Sequence, residues 1–97
     1  MKIAIVGLRF GQTHHVARAC QGVADLKFVS ANTAEITYPD ADAVILMTKF
    51  IQHRWTQVAY RDFSRDRVHL HPGGISKLVR LIKRIAIGSG IVEQRQT

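Results

Sequence analysis

The sequence predicts an α/β fold: a minimal Rossmann-like or flavodoxin-like unit of three layers, with a four-stranded parallel sheet and three helices. Two observations predict it. Short apolar runs alternate along the chain with segments in which apolar residues recur at helical spacing. The most apolar run, at 42–48, is typical of a strand that is covered on both faces. Because 97 residues suit one domain with one modest core, we expect a single domain over residues 1–97.

The first half of the chain begins with a strand, KIAIV, which is short and almost wholly apolar. A glycine-containing loop follows it. In the next segment apolar residues recur at helical spacing, and Gly22 stands near the predicted stop. A second strand and a connector too short for a full helix complete this half. The predicted strand, loop, helix, strand and connector are residues 2–6, 7–11, 12–22, 26–30 and 32–41.

The second half repeats the alternation. Thr48, at the end of the apolar run 42–48, is placed to cap the next helix. In that helix Trp55 and Ala59 share an apolar face, while polar and basic residues point elsewhere. A fourth strand, a Pro-Gly-Gly turn and the last helix follow at residues 67–71, 72–74 and 75–87.

Strand order follows from chain connectivity. Right-handed crossovers and the central position of the two most apolar strands predict the order 2-1-3-4. The first and last helices then cover one face of the sheet, and the middle helix covers the other face alone. We therefore expect apolar surface to stay open around Ile36, Tyr38 and Trp55, and we expect a homodimer that covers it.

Charge is distributed unevenly along the chain. Residues 1–42 hold four bases and four acids (4 − 4 = 0), whereas residues 43–92 hold nine bases and two acids (9 − 2 = +7), which accounts for the net charge of +7. A one-sided excess of this kind favours a phosphate-rich partner, so we expect DNA or RNA to bind the basic half, 43–92. The expected contacts are Lys49, Arg54, Arg61, Arg65, Arg67, Lys77, Arg80, Lys83 and Arg84.

Four of these bases lie on the last helix. Lys77, Arg80, Lys83 and Arg84 fall within one arc of ~120° at 100° per residue, opposite the apolar side. Residues 75–87 contain no acid, whereas a solvated face normally mixes both signs of charge. The stripe therefore predicts contact with the phosphate backbone. Few aromatic side chains lie nearby in the sequence, so we expect no strong sequence specificity.

A small phosphate or nucleotide ligand is the alternative. Three loops meet where the carboxyl ends of the strands face the helix starts, which is the usual ligand edge of such a sheet. The first loop is G-x-x-x-G, which is neither the dinucleotide pattern nor a P-loop, and no acid follows the second strand to hold a ribose. The candidate ligand residues are Gly7, Arg9, Gly11, Thr48, His53, Gly73, Gly74 and Ser76.

Neither catalysis nor a cofactor is expected. Phosphoryl-transfer and nuclease chemistry usually needs carboxylates that hold a divalent metal, and no Asp or Glu falls at the predicted edge. His14, His53 and His71 lie near helix starts or strand ends, but we interpret them as polar loop histidines and expect no metal site. Cys20 lies on the apolar face of the first helix, so we place it in the core.

Location is also constrained by the sequence. One cysteine excludes an internal disulfide framework and fits a reducing compartment. The first apolar run is too short for a signal peptide, and IAIGSGIV is too short to span a bilayer. We therefore expect a cytoplasmic protein without a membrane partner. A phage or plasmid regulator that binds a host protein is a third possibility for its function.

Three blocks of the sequence resemble a known family. VGLRFGQTHHVARA, ADAVILMTKFIQH and the Gly-Gly-Ile-Ser-Lys-Leu run resemble a small bacterial and phage family, the domain-of-unknown-function family 2325, over most of the chain. The resemblance implies a compact Rossmann-like fold and no established activity. The chain departs from the family pattern at Leu8, where a second glycine is frequent, and at Thr48-Lys49, where an acid is common. The second departure makes the edge of the sheet more basic.

Overall fold

The computed structural model of the protein describes residues 1–90. Its strands are β1 (Lys2–Val6), β2 (Asp25–Val29), β3 (Ala43–Met47) and β4 (Val68–His71). Its α-helices are α1 (Phe10–Ala19), α2 (His53–Asp62) and α3 (Ile75–Gly90). Short 3-10 turns occupy Thr48–Phe50 and Arg65–Arg67.

The four strands form one parallel sheet in the order β2-β1-β3-β4, which confirms the predicted fold class and strand order. The register pairs Val6 with Val29 and with Leu46, and it pairs Met47 with His71. All four strands therefore end at one edge, which we call the carboxyl edge, and begin at the opposite amino edge. Each α-helix starts near the carboxyl edge and runs back along the sheet.

Alternating residues of the central strands supply two separate cores. Ile3, Ile5 and Ile45 face α1 and α3, where Leu78 and Ile82 are fully buried against them. The intervening strand residues face α2, and Trp55 and Ala59 pack on them. This alternation explains why β3 is buried at every position: both of its faces are covered.

The prediction of an open apolar surface is wrong. The connector between β2 and β3 packs Ile36 and Tyr38 onto the α2 side of the sheet. The Tyr38 ring meets Trp55 and Phe63 edge-on, at centroid distances of 5.6 and 5.7 Å, and its hydroxyl donates to the Trp55 carbonyl at 2.6 Å. Trp55 is consequently only 2% exposed. The homodimer stays a prediction, but the exposed face that motivated it is covered.

Several predicted boundaries shift by a few residues. Thr48 does not cap α2, because it begins a 3-10 turn, and Gln52 precedes the helix instead. The first helix begins at Phe10, two residues before the predicted start, and ends at Ala19. The strand predicted at 26–30 lies at Asp25–Val29. Within residues 1–90, none of the helices has the length and apolar character needed to cross a bilayer.

The Tyr38 hydroxyl provides a stability prediction. Tyr38→Phe removes the donor to the Trp55 carbonyl and should lower the free energy of unfolding by about 1 kcal/mol in a urea titration. Tyr60→Phe is the matched control, because the Tyr60 side chain is exposed, and it should change stability by less than about 0.5 kcal/mol. Equal effects of the two changes would show that this hydrogen bond does not hold the connector.

Candidate nucleic-acid interface

The carboxyl edge of the sheet is rich in basic residues. In the part of the chain that the structure describes, no acid occurs among the three residues after any strand. The first turns of α1, α2 and α3 contain none either. The bases Arg9, Lys49, Arg54 and Lys77 lie at this edge and are all exposed. The edge therefore carries a concentration of positive charge.

The acids gather at the opposite edge. Five of the six acids in residues 1–90 lie at or beside the amino ends of strands or the end of α2: Asp25, Asp40, Asp42, Asp62 and Asp66. One of these acids joins the start of β1 to the start of β3, because an Asp42 carboxylate oxygen accepts from the Lys2 backbone N–H at 2.8 Å. Glu35 lies in the connector that leads from one edge to the other.

Three bases of α3 share one groove. Lys77, Arg80 and Arg84, spaced by three and four residues, line a groove of about 450 Å³ together with Leu70, His71 and Leu81. The groove lies between α3 and β4, the edge strand of the sheet. All three basic side chains are exposed, and α3 carries no acid. We call these three residues the α3 row.

Lys83 does not belong to the α3 row. It lines a different pocket, of about 310 Å³, with Val23, Ala86 and Ile87. It also lies close enough to Cys20 to affect that thiol. Burial raises the pKa of Cys20, and the Lys83 charge offsets part of that rise. The predicted arc of four bases therefore divides into a row of three and one base that points toward α1.

Arg61, Arg65 and Arg67 lie at the amino edge, away from the α3 row. Arg67 donates to the backbone carbonyls of Ala41 and Asp42, the latter at 2.8 Å, and its guanidinium lies 5.1 Å from the Phe63 ring centroid. These contacts tie the start of β4 to the connector before β3. Arg67 is therefore engaged in the fold, and its contacts explain its presence without a ligand.

The two neighbouring arginines also have local partners. Arg61 forms an ion pair with Asp62 at 3.0 Å, and both residues are exposed. The Arg65 guanidinium lies 5.3 Å from the centroid of the Tyr60 ring. The structure thus separates these three arginines from Lys49, Arg54 and the α3 row, although the sequence places all of them in one basic half.

The eight candidate ligand residues all lie at the carboxyl edge, in groups near β1, β3 and β4. Gly7 follows β1 directly and has φ of 103°, a left-handed conformation that favours glycine. A Cβ at Gly7 would lie 2.8 Å from Ile51 Cγ2 and 3.2 Å from Met47 Cβ. The first glycine is therefore required by the turn and its packing. Gly11 lies within α1, where an added Cβ meets nothing within 4 Å.

The side chain of His71 occupies the space inside the Pro-Gly-Gly turn. The His71 ring is buried, and its Nε2–H donates to the Gly74 carbonyl at 3.1 Å. The same carbonyl accepts the helical bond from the Leu78 N–H. A Cβ at Gly73 would lie 3.2 Å from His71 Nε2. Glycine at 73 thus leaves room for an imidazole of the protein itself, so this turn gives no evidence for a phosphate cradle.

An aromatic feature of the carboxyl edge was missed by the sequence analysis. Phe10, the first residue of α1, is 81% exposed, and Phe50, in the 3-10 turn after β3, is 45% exposed. The Arg9 guanidinium lies 5.8 Å from the Phe50 ring centroid. Two adjoining pockets of about 220 and 590 Å³ lie here, and both are lined by Leu8, Arg9, Ser30 and Asn32. In the sequence, the only sign of this aromatic feature is that two phenylalanines lie in segments predicted to follow strands.

Within the described residues, no three His, Cys, Asp or Glu side chains are grouped so that they could hold a metal ion. His14 lies against the Phe10 ring at a centroid distance of 5.0 Å, and His71 is engaged in the Pro-Gly-Gly turn. Comparison with known proteins gave no match to a family model, a curated protein or a solved structure. The resemblance to the domain-of-unknown-function family 2325 stays a prediction.

Proposed function

We propose that the protein binds nucleic acid through the phosphate backbone, without strong sequence specificity and without a catalytic step of its own. The observation that carries the proposal is the α3 row, in which three exposed bases line one groove on a helix that contains no acid. Lys49 and Arg54 extend the same positive surface along the carboxyl edge. Arg61, Arg65 and Arg67 are not included, because their contacts belong to the amino edge.

The α3 row has the form of a backbone-tracking surface. At 1.5 Å per residue, Lys77 and Arg84 stand about 10 Å apart along the helix axis, with Arg80 between them. Positive groups at this spacing meet successive phosphates of a bound strand, and each contact releases counterions. The two arginines add fork-shaped donors that match phosphate oxygens. Leu70 and Leu81 give the groove an apolar wall, which offers no hydrogen bond to a base edge.

A salt titration tests the proposal. Binding of a labelled oligonucleotide should weaken linearly on a log–log plot against salt concentration. Five phosphate contacts give a slope of about −4.5 on duplex DNA and about −3.5 on a single strand. A mononucleotide should bind far more weakly than any oligonucleotide, because one phosphate makes only a fraction of these contacts. Binding that does not respond to salt would refute the proposal.

The small-ligand alternative gives different results in the same assay. A nucleotide held at the carboxyl edge would bind as tightly alone as within an oligonucleotide, with little effect of salt. It would also raise the melting temperature, since a ligand at a hundredfold over its Kd stabilises by about 2.7 kcal/mol. A partner that is a host protein would leave every bare oligonucleotide unbound.

His69 reports on Arg84. Burial lowers the pKa of His69 below its usual 6.5, the charge of Arg84 lowers it further, and Asp66 raises it. Phosphate bound at Arg84 should offset that charge, so the pKa of His69 should rise when an oligonucleotide is added, as followed by NMR. Arg84→Gln should raise the pKa without any ligand, whereas Arg18→Gln, on α1, should not. An unchanged pKa on saturation would place the strand away from Arg84.

The lowered pKa of His69 also makes the stability of the protein depend on pH. Because the folded protein holds the His69 proton less tightly than the unfolded chain, the unfolded chain binds more protons below about pH 6.5. The free energy of unfolding should therefore fall as the pH drops through 6.5 toward the folded pKa. Arg84→Gln should reduce this acid sensitivity, because it brings the two pKa values closer together.

A further inference from the structure

Two exposed phenylalanines, Phe10 and Phe50, lie at the carboxyl edge of the sheet. Phe10 and Phe50 follow β1 and β3, which are neighbours in the sheet, so both residues lie at this edge. Large apolar side chains are normally buried, and Phe10 is 81% exposed although its helix has an apolar core side. Its position is fixed locally. The Arg9 N–H donates to Gln12 Oε1 at 3.1 Å, and the Thr13 hydroxyl donates to the Phe10 carbonyl at 2.6 Å.

Positive charge accompanies the rings. The Arg9 guanidinium lies over the Phe50 ring, and Arg9 lines the pockets that contain Phe10 and Phe50. Lys49 is exposed next to Phe50 in the sequence. An arginine plane and aromatic faces are the components with which proteins stack nucleobases and attract their phosphates.

The pocket beside the rings is also polar. Ser30 and Asn32, which follow β2, line both pockets. The Asn32 backbone N–H donates to the Ser30 hydroxyl at 3.2 Å, which orients the loop. The larger pocket, about 590 Å³, falls within the range of sites that hold small organic groups, about 300–1,000 Å³. An amide side chain and a hydroxyl provide donors and acceptors for a base edge or a sugar.

We propose that Arg9, Phe10 and Phe50, with Ser30 and Asn32, form a binding site for an unpaired nucleobase across these two adjoining pockets, and that the nucleic acid bound is therefore single-stranded. This inference rests on the proposed function and specifies its substrate class. A duplex buries the faces of its bases in its own stack, so it cannot place one on a phenylalanine ring without unpairing it. A single strand presents a free face with every base, whatever its sequence.

One nucleic-acid strand can reach both the base site and the α3 row. Because neighbouring β-strands are about 4.8 Å apart, the pocket between β1 and β2 lies about 12 Å from β4 along the carboxyl edge. Lys49, after β3, lies between them, and Lys77 begins the α3 row at the far end. A few nucleotides of an extended strand span this distance, with a base in the pocket and phosphates on Lys49 and the α3 row.

Fluorescence anisotropy with three labelled probes tests the inference. The probes are oligothymidylate of about 12 nucleotides, an abasic oligomer of equal length and a duplex of that length. Wild-type protein should bind oligothymidylate at least about tenfold more tightly than either the abasic oligomer or the duplex. The double variant Phe10→Ala/Phe50→Ala should lose this preference and keep its affinity for the abasic oligomer. Tyr60→Ala, at an exposed aromatic residue on α2, should change neither value.

The outcomes separate this inference from the proposed function. Equal wild-type affinity for the oligothymidylate and abasic probes, or a double variant that behaves like Tyr60→Ala, would overturn the base pocket. If reversing the charges of the α3 row still abolished binding in that case, the proposed function would stand. Thymidine monophosphate that bound as tightly as oligothymidylate would overturn the assignment to a strand. Because Phe10 and Phe50 are exposed, the double variant should remain folded, which a melting curve checks.

Discussion

The triple variant Lys77→Glu/Arg80→Glu/Arg84→Glu is expected to lower the affinity for an oligonucleotide by at least about 100-fold at low salt. Three phosphate contacts account for about two units of the log–log salt slope on a single strand, and the new carboxylates repel the backbone in addition. All three side chains are exposed in the groove beside β4, so the circular dichroism spectrum should not change.

The matched control reverses three bases elsewhere. Arg18→Glu/Arg61→Glu/Arg65→Glu changes the net charge by the same amount, but its residues lie at the ends of α1 and α2 and just before β4. This control should keep most of the wild-type affinity. An equal loss in both triple variants would mean that net charge alone attracts the polyanion, and the α3 row would lose its assigned role.

Gly7→Ala is expected to cost about 4 kcal/mol of stability, a large share of the 5–15 kcal/mol of a typical domain. A φ of 103° strains any residue with a Cβ by about 1–3 kcal/mol. The new methyl would also lie 2.8 Å from Ile51 Cγ2 and 3.2 Å from Met47 Cβ, which adds about 1–3 kcal/mol of overpacking. Urea unfolding measures the difference.

Two other glycines separate strain from crowding. Gly22→Ala keeps the strain, since Gly22 has φ of 80°, but its Cβ meets nothing within 4 Å, so it should cost only about 1–3 kcal/mol. Gly11→Ala, on the open surface of α1, should stabilise the protein by about 0.5–1 kcal/mol. If Gly7→Ala cost no more than Gly22→Ala, the contacts with Ile51 and Met47 would be of no consequence.

The fold could be predicted from local sequence because its strong signals are periodic. The apolar run 42–48 and the helical spacing of residues 75–87 each predict their element, and connectivity then determines the strand order. The packing of Tyr38 on Trp55 could not be predicted in this way. The two residues are 17 positions apart, and Tyr38 lies in an irregular connector whose apolar residues follow no period.

The candidate interface was predicted in part. The α3 row follows from helical geometry, because residues at three and four positions apart share a face. The position of Arg61, Arg65 and Arg67 was available from topology: a segment that precedes a parallel strand must lie at its amino edge. Charge counted along the chain ignores that fact. Phe10 and Phe50 had no such signal, because an apolar residue in a loop is indistinguishable in sequence from one that packs inward.

The separation of acids from the carboxyl edge gives the protein an electric dipole along the strand direction, in addition to its net charge of +7. Net charge draws the molecule toward a polyanion from any side, whereas a dipole applies a torque that turns it during approach. The carboxyl edge, with Arg9, Lys49 and Lys77, would lead. A larger share of collisions would then begin in the binding orientation, so salt would slow association as well as weaken the complex.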